Sequence, residues 1–156
     1  VNTVDQDSVL ATVVSLQGAA SHWADYQGDA TREIQRFRGQ LVTFTDDGVL
    51  AVFDGPARAL RFAHAIVASR NRHGAEMRGG IQTGEVFLNK LGVTGPPIEV
   101  ATRLAERAGF GQILATTTVR DLVAGSGIRF DDAGADQPLA GLDGLAVLAL
   151  DPVSLE

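Results

Sequence analysis

Two neighbouring carboxylates, Asp46 and Asp47, are followed by Gly48 and lie between two runs rich in β-branched and apolar residues. Asp-Gly between such runs is a strong hairpin signal, so a hairpin with an acidic tip is predicted over residues 40–53. Carboxylates on a rigid tip can bind a divalent cation that also binds phosphate oxygens. Asp and Gly are also what such a turn requires, so the motif by itself leaves a purely structural role open.

A second candidate is Arg103, which lies in the middle of a predicted helix. Its guanidinium could bind a phosphate group, since arginine presents a fork of donors to such anions. Glu99 precedes it by four residues, which is the spacing of an ordinary ion pair on a helix surface. Spacing alone favours the ion pair.

Several kinds of site have no support in the residues. The histidines His22, His64 and His73 have no partner at ligand spacing, so a metal or general-base role for them lacks support. The absence of cysteine excludes a disulfide framework, a thiolate zinc site and a cysteine nucleophile. No serine lies in a nucleophile elbow, and no phosphate-binding glycine loop is followed by lysine.

The composition is that of one folded domain with an acidic balance. A chain of 156 residues with 45% hydrophobic and 21% charged residues can bury its own core. The formal net charge of −6 gives no general attraction for a polyanion, so nucleic acid is not an expected partner. No apolar run approaches the roughly 20 residues of a membrane span, and residues 1–9 lack a signal-peptide pattern. We expect a soluble, cytoplasmic domain, and Leu155-Glu156 at its end is consistent with a piece cut from a longer protein.

The elements that must position these residues begin with a predicted central strand over 8–17, buried on both faces. A helix follows over 18–37, interrupted at Gly28. After the hairpin, Pro56 opens an amphipathic helix that ends between residues 70 and 74. Residues 77–89 predict a further strand or hairpin, and residues 91–97 predict a loop.

The last third of the chain also contains both predicted helices and predicted strands. A helix is predicted over 98–108, ended by Gly109 in a left-handed cap. Residues 112–115 predict a strand, Thr116 to Thr118 predict hydroxyl caps for a short helix, and strands are predicted at 128–130 and 145–150. Hairpins mixed with helices predict an α+β sandwich of one sheet covered by helices.

Several segments, in order, resemble the class III adenylate and guanylate cyclases. TDDGVLAVFDGPARALRFAHAI resembles the family's T-G-D-G turn, apolar strand and F-D-G-P-A-R-A segment. The family's glycine-rich strand pair is resembled by RGGIQTGEV. Its arginine helix, with the following strand and short helix, is resembled by IEVATRLAERAGFGQILATTTVRDLVAGSGIRF. Its terminal strands are resembled by QPLAGLDGLAVLAL. The resemblance covers residues 36–150, and several matched segments are far more specific than one motif. We interpret residues 1–156 as a single cyclase homology domain of the kind found in bacterial regulators.

The resemblance implies a ferredoxin-like β-α-β-β-α-β core, with one mainly antiparallel sheet, that pairs head to tail as a homodimer or heterodimer. It also implies two carboxylates that hold two Mg²⁺ or Mn²⁺ ions, which polarise the α-phosphate of ATP and activate the ribose 3′-hydroxyl. By the resemblance, the second metal Asp corresponds to Asp47 and the transition-state Arg corresponds to Arg103.

Four functional positions of the family carry other residues here. The first metal Asp corresponds to Ser15, the purine-reading Lys to Thr43, the purine-reading Asp to Gly92, and the Asn that works with the arginine to Glu99. One lost electrostatic group in such a site costs ~3 kcal/mol, or about 10²-fold in rate. A carboxylate at position 99 would also repel a triphosphate.

Three hypotheses follow from the residues and the resemblance. In the first, the chain is a catalytically degenerate cyclase domain, a pseudoenzyme that serves as a dimerisation or regulatory module in cyclic nucleotide signalling. In the second, it is an active adenylate cyclase that converts ATP to cyclic AMP and pyrophosphate, with Asp46 replacing the missing metal ligand. In the third, it binds a nucleotide or another small molecule without turnover.

Overall fold

The computed structural model describes residues 7–18, 23–133 and 145–156. In chain order its elements are β1 (Asp7–Gly18), α1 (Trp23–Arg36), β2 (Gln40–Phe44), β3 (Gly48–Phe53), α2 (Pro56–Arg72), β4 (Met77–Asn89), β5 (Gly92–Thr94), α3 (Pro96–Arg107), β6 (Ile113–Thr116), α4 (Thr117–Leu122), β7 (Phe130–Asp132) and β8 (Val147–Leu150), followed by a 3₁₀ turn over Pro152–Leu155.

The strands form one eight-stranded sheet in the order β2-β3-β1-β4-β6-β8-β7, with β5 paired to β4 beside this path. Every pairing is antiparallel except that of β4 with β6, which is parallel. The predicted α+β class, with one mainly antiparallel sheet covered by helices, is confirmed.

Helices cover both faces of the sheet because successive residues of a strand point to opposite sides. Val14 and Leu16 of β1 belong to the cluster formed with α1 and α2. Val13 of the same strand belongs to a second cluster, which includes Ala101 of α3. The central strand β1 therefore contributes to two cores, and α3 lies on the face opposite α1 and α2.

The prediction that β1 is buried on both faces is correct only for its second half. Its residues from Ala11 to Leu16 are buried, whereas Ser8 and Val9 are exposed and Leu10 is 70% exposed. The first half of the strand extends past the helices that cover the rest of it.

The helix predicted over 18–37 is present as α1, and the predicted interruption at Gly28 is wrong. The helix passes through Gly28 without a break. Tyr26, Ala30 and Ile34 recur at helical spacing and are buried against the core, and this burial outweighs the roughly 1 kcal/mol cost of one glycine. Residues 19–22 of the prediction, His22 among them, lie outside the described residues.

The loop predicted over 91–97 is wrong in its middle and at its end. Gly92–Thr94 forms β5, which pairs with Phe87–Asn89 of β4, and α3 already begins at Pro96. Two prolines occupy the first turn of α3, where their missing N–H groups would have no helical partner.

Two predicted helix caps are also wrong. Helix α3 is capped at Ala108, and the glycine with positive φ in this segment is Gly111, not Gly109. The Thr116 hydroxyl does not cap α4 but donates to Oε1 of Gln82 at 2.5 Å, and this bond gives two buried side-chain oxygens a partner inside the sheet. Among the helices described, none is long and apolar enough to cross a membrane.

Candidate functional site

The acidic tip lies in the three-residue loop over 45–47 between β2 and β3, as predicted. Thr45 N–H donates to the Gly48 carbonyl at 2.9 Å and closes the hairpin around Asp46 and Asp47. The Gly18 N–H donates to the Asp47 carbonyl at 2.7 Å, so the tip is joined to the end of β1. Asp46 is exposed and Asp47 is half-buried.

Gly48 is required by a close approach of two backbones. It lies opposite Gln17 in the antiparallel register of β1 and β3. A Cβ at this position would overlap the carbonyl oxygen of Leu16. The glycine thus brings the hairpin against β1, which sets where Asp47 can lie.

The Asp47 carboxylate has a partner inside the turn. The Thr45 hydroxyl donates to Oδ1 of Asp47 at 3.1 Å. Sequence reasoning missed this contact, although Thr two residues before Asp in a tight turn is a pattern that could have indicated it.

Ser15, the position of the first metal Asp by resemblance, lies inside the sheet. It is paired with Leu50 of β3 and Gly80 of β4, and it is only 5% exposed. It points to the same face as Val13, which is the face that α3 covers. The side chain there is a short neutral hydroxyl, so the position contributes no negative charge.

Helix α3 is packed tightly on that same face. A Cβ at Gly80 would overlap the carbonyl oxygen of Ala101, so the glycine allows the helix backbone to approach β4. Val100, Ala101 and Leu104 are buried beneath the helix, whereas Glu99 and Arg103 are exposed on its outer side. Glu99 and Arg103 are one turn apart on this outer side, as their spacing predicts.

The last two site positions lie at the surface on separate strands. Thr43 of β2 is exposed beside an irregularity in the β2–β3 register, and its hydroxyl donates to the Phe44 carbonyl at 3.1 Å. Gly92 is exposed at the start of β5, with φ of 135°. The structure therefore brings Asp46, Asp47 and the end of β1 together, and places Glu99 with Arg103 on a different element.

The donor set of the tip is poor for a metal ion. Within residues 7–18, 23–133 and 145–156, no group of three or more His, Cys, Asp or Glu side chains is arranged to hold one. Mg²⁺ and Mn²⁺ are hard cations that take several oxygen ligands, charged ones above all.

Solved structures with the same architecture are nucleotidyl cyclase domains. The chain matches the crystal structure of the adenylyl cyclase CyaB from P. aeruginosa with a TM-score of 0.83 and 16% identity, over 94% of this chain and 95% of that chain. The chain has the fold of the class III nucleotidyl cyclase domains. The predicted resemblance of fold is confirmed.

Two further solved structures of this class have the same fold. The adenylate/guanylate cyclase/hydrolase from Silicibacter pomeroyi matches with a TM-score of 0.70 and 23% identity, over 92% of this chain and 95% of that chain. The non-canonical dimeric guanylyl cyclase domain of the RhoGC fusion protein from the fungus Blastocladiella emersonii matches with a TM-score of 0.74 and 16% identity, over 94% and 96%.

The matches by sequence are to proteins without an assigned function. One protein each from Mycobacterium tuberculosis and Mycobacterium bovis, both described as uncharacterized, is 32% identical to this chain over 101 residues. The match covers 64% of this chain, and the chain spans about a quarter (27%) of the length of these relatives. No protein-family model matches the chain.

Proposed function

We propose that the chain is a class III cyclase-type domain that has lost catalysis and serves as a dimerisation or regulatory module in intracellular signalling. Ser15 carries this proposal. In a complete cyclase fold, the position that resembles the first metal carboxylate holds a neutral hydroxyl that is only 5% exposed. One carboxylate of the implied metal pair is therefore absent, and with it much of the charge stabilisation of a phosphoryl transfer.

Glu99 supports the same proposal. It stands where the family carries an amide that works with the transition-state arginine, and it lies on the exposed side of α3, one turn from Arg103. A carboxylate there would repel a triphosphate approaching Arg103 and would compete with it for the guanidinium. Ser15 thus weakens the implied binding of metal ions, and Glu99 weakens the implied action of Arg103 on the triphosphate.

The dimer is proposed from the resemblance, which implies active sites built between two chains. Asp47 is on the hairpin tip and Arg103 is on the outer side of α3. The B. emersonii domain matched above is described as a non-canonical dimer, and another structure of a guanylyl cyclase domain from the same fusion protein is described as monomeric. We propose that the chain associates with a second copy or a related chain in the head-to-tail arrangement that the resemblance implies.

An active adenylate cyclase remains a candidate because of one observation. Asp46 and Asp47 both lie in the loop and not in an extended strand, so strand alternation does not force their carboxylates to opposite faces. In that case Asp46 would supply the second acidic ligand for Mg²⁺ or Mn²⁺ in place of residue 15.

One assay separates the two functions. Concentrated protein is incubated with ATP or GTP and Mn²⁺, and cyclic AMP and cyclic GMP are sought by mass spectrometry, with Asp46→Ala and Asp47→Ala as matched variants. We expect no product from any of the three proteins. Product that disappears in both variants would instead establish an active cyclase with a rebuilt acidic pair.

A further inference from the structure

We propose that Asp47 is a turn-stabilising residue in this chain, and that the acidic tip does not hold the pair of divalent cations that the cyclase fold implies. The inference deepens the proposed function and rests on it for the correspondence of Asp47 with a metal position. The inference is about cation binding at the acidic tip, and it can be tested separately from the conversion of a nucleotide to product.

The first argument is the chemistry of the donor set. A pair of hard cations needs several oxygen ligands with enough negative charge to offset their own. The position that would supply the partner carboxylate is Ser15, whose hydroxyl is neutral and enclosed between Leu50 and Gly80. No third acidic or imidazole side chain joins Asp46 and Asp47 among the described residues. The residues present do not fit the metal pair.

The second argument is that Asp47 already has structural partners. Its carboxylate accepts the Thr45 hydroxyl at 3.1 Å, and its backbone carbonyl accepts the Gly18 N–H at 2.7 Å. With the Thr45 N–H to Gly48 carbonyl bond, these contacts close the turn and hold it to β1. A side-chain oxygen is all that the Thr45 hydroxyl needs, so an amide can replace the carboxylate in this role.

The two roles predict different behaviour for the isosteric change. As a metal ligand, Asp47 must carry its charge, and Asp47→Asn would abolish cation binding. As a turn residue, it must only accept a hydrogen bond, so Asp47→Asn keeps the contact and also removes the repulsion between the adjacent carboxylates. Asp47→Ala and Thr45→Val each remove the contact.

The experiment measures Mn²⁺ binding and thermal stability on the same four proteins: the unmodified chain, Asp47→Asn, Asp47→Ala and Thr45→Val. Free Mn²⁺ is followed by electron paramagnetic resonance, with ATP as a positive control for chelation. We expect no Mn²⁺ site tighter than millimolar in any of the four. We expect the melting temperature to fall by about 2–4 °C in Asp47→Ala and in Thr45→Val, and to change by less than half of that in Asp47→Asn.

Two results would overturn the inference. One is stoichiometric Mn²⁺ binding by the unmodified chain that Asp47→Asn abolishes. The other is an unchanged melting temperature in both Asp47→Ala and Thr45→Val. Such Mn²⁺ binding, dependent on Asp47 and found without any cyclic nucleotide product, would refute this inference and leave the proposed function standing, whereas product formation that Asp47→Ala abolishes would refute the proposed function.

Discussion

At the scale of single residues, Gly48 and Gly28 show what a glycine does in this chain. Gly48 lies opposite Gln17 in the β1–β3 ladder, where a Cβ would overlap the Leu16 carbonyl. Gly28 lies inside α1, where the nearest atom to an added Cβ is Nη1 of Arg32, at 3.9 Å. The first glycine is imposed by packing and the second is not.

We therefore predict opposite effects for one substitution at the two sites. Gly48→Ala should lower the free energy of unfolding by about 3 kcal/mol, because β3 must move away from β1. Gly28→Ala should raise it by about 0.5–1 kcal/mol, because alanine is the better helix former. Urea denaturation of both variants measures this, and equal stabilities for the two would contradict the account.

Arg38 is the one residue other than glycine with positive φ among those described, at 61°. It follows α1 as its left-handed cap, since Arg38 N–H donates to the Gln35 carbonyl and Gly39 N–H donates to the Ile34 carbonyl. Glycine is usual at such a position because a Cβ there costs about 1 kcal/mol.

Arg38→Gly should consequently be neutral or stabilising by up to about 1 kcal/mol, in spite of the lost side chain. Arg36→Gly, two positions earlier at the end of the helix, is the control and should destabilise by about 1 kcal/mol. Chemical denaturation compares the two. A clear loss of stability in Arg38→Gly would show that its side chain has a role that the backbone geometry does not account for.

The residue scale is also where sequence reasoning reached its limit. Asp-Gly between two β-rich runs was enough to predict the hairpin and its acidic tip, because the signal is local. The Thr45–Asp47 contact and the Gly48–Leu16 approach depend on how the turn lies against β1, and that is a property of the folded sheet.

At the scale of elements, α3 is positioned by β4 at its middle and at its C-terminal end. Gly80 allows the close backbone approach near Ala101. Arg78, two residues earlier in β4, donates through Nη1 to the carbonyls of Glu106 and Ala108 at 3.0 and 3.3 Å, and its guanidinium lies 5.2 Å from the centre of the Phe110 ring. Arg78 thus does what a glycine cap was predicted to do.

Arg78→Met should lower the free energy of unfolding by about 1–2 kcal/mol, since the last carbonyls of α3 lose a charged donor. Arg72→Met is the matched control, because Arg72 is exposed at the end of α2 and should be nearly silent. Hydrogen exchange at the α3 amides should increase in Arg78→Met and not in the control. Unchanged exchange in both would contradict this role for Arg78.

The elements that sequence reasoning missed share a physical cause. β5 is three residues long and exists because it pairs with Phe87–Asn89, a contact that no local propensity encodes. The predicted break at Gly28 failed because burial of one helix face against the sheet outweighs a local glycine penalty. The helix α2 was predicted from the sequence alone, because its apolar residues recur at helical spacing.

At the scale of the whole molecule, the proposed role predicts self-association. We expect sedimentation equilibrium of the purified chain to show a dimer at micromolar concentrations, because the proposed role is that of a dimerisation module. A protein that stays monomeric throughout the accessible concentration range would contradict the homodimer and leave only a different chain as partner.

The overall fold was the most predictable feature, because matched segments along most of the chain constrain it jointly, and the structure confirms it. What the site does was less accessible, since Ser15 and Glu99 are ordinary residues whose meaning comes only from the positions they occupy. Whether those positions still support chemistry is a matter of charge and geometry at the site.

The central claim is that the fold persists without the reaction, and a rate measurement tests it most directly. Two lost electrostatic contributions of about 10²-fold each would reduce a typical turnover of about 10 s⁻¹ to roughly 10⁻³ s⁻¹ or below. We predict that cyclic nucleotide formation with ATP or GTP and Mn²⁺, followed by mass spectrometry, stays below this rate and is unchanged by Asp47→Ala. Formation well above it that Asp47→Ala abolishes would contradict the account.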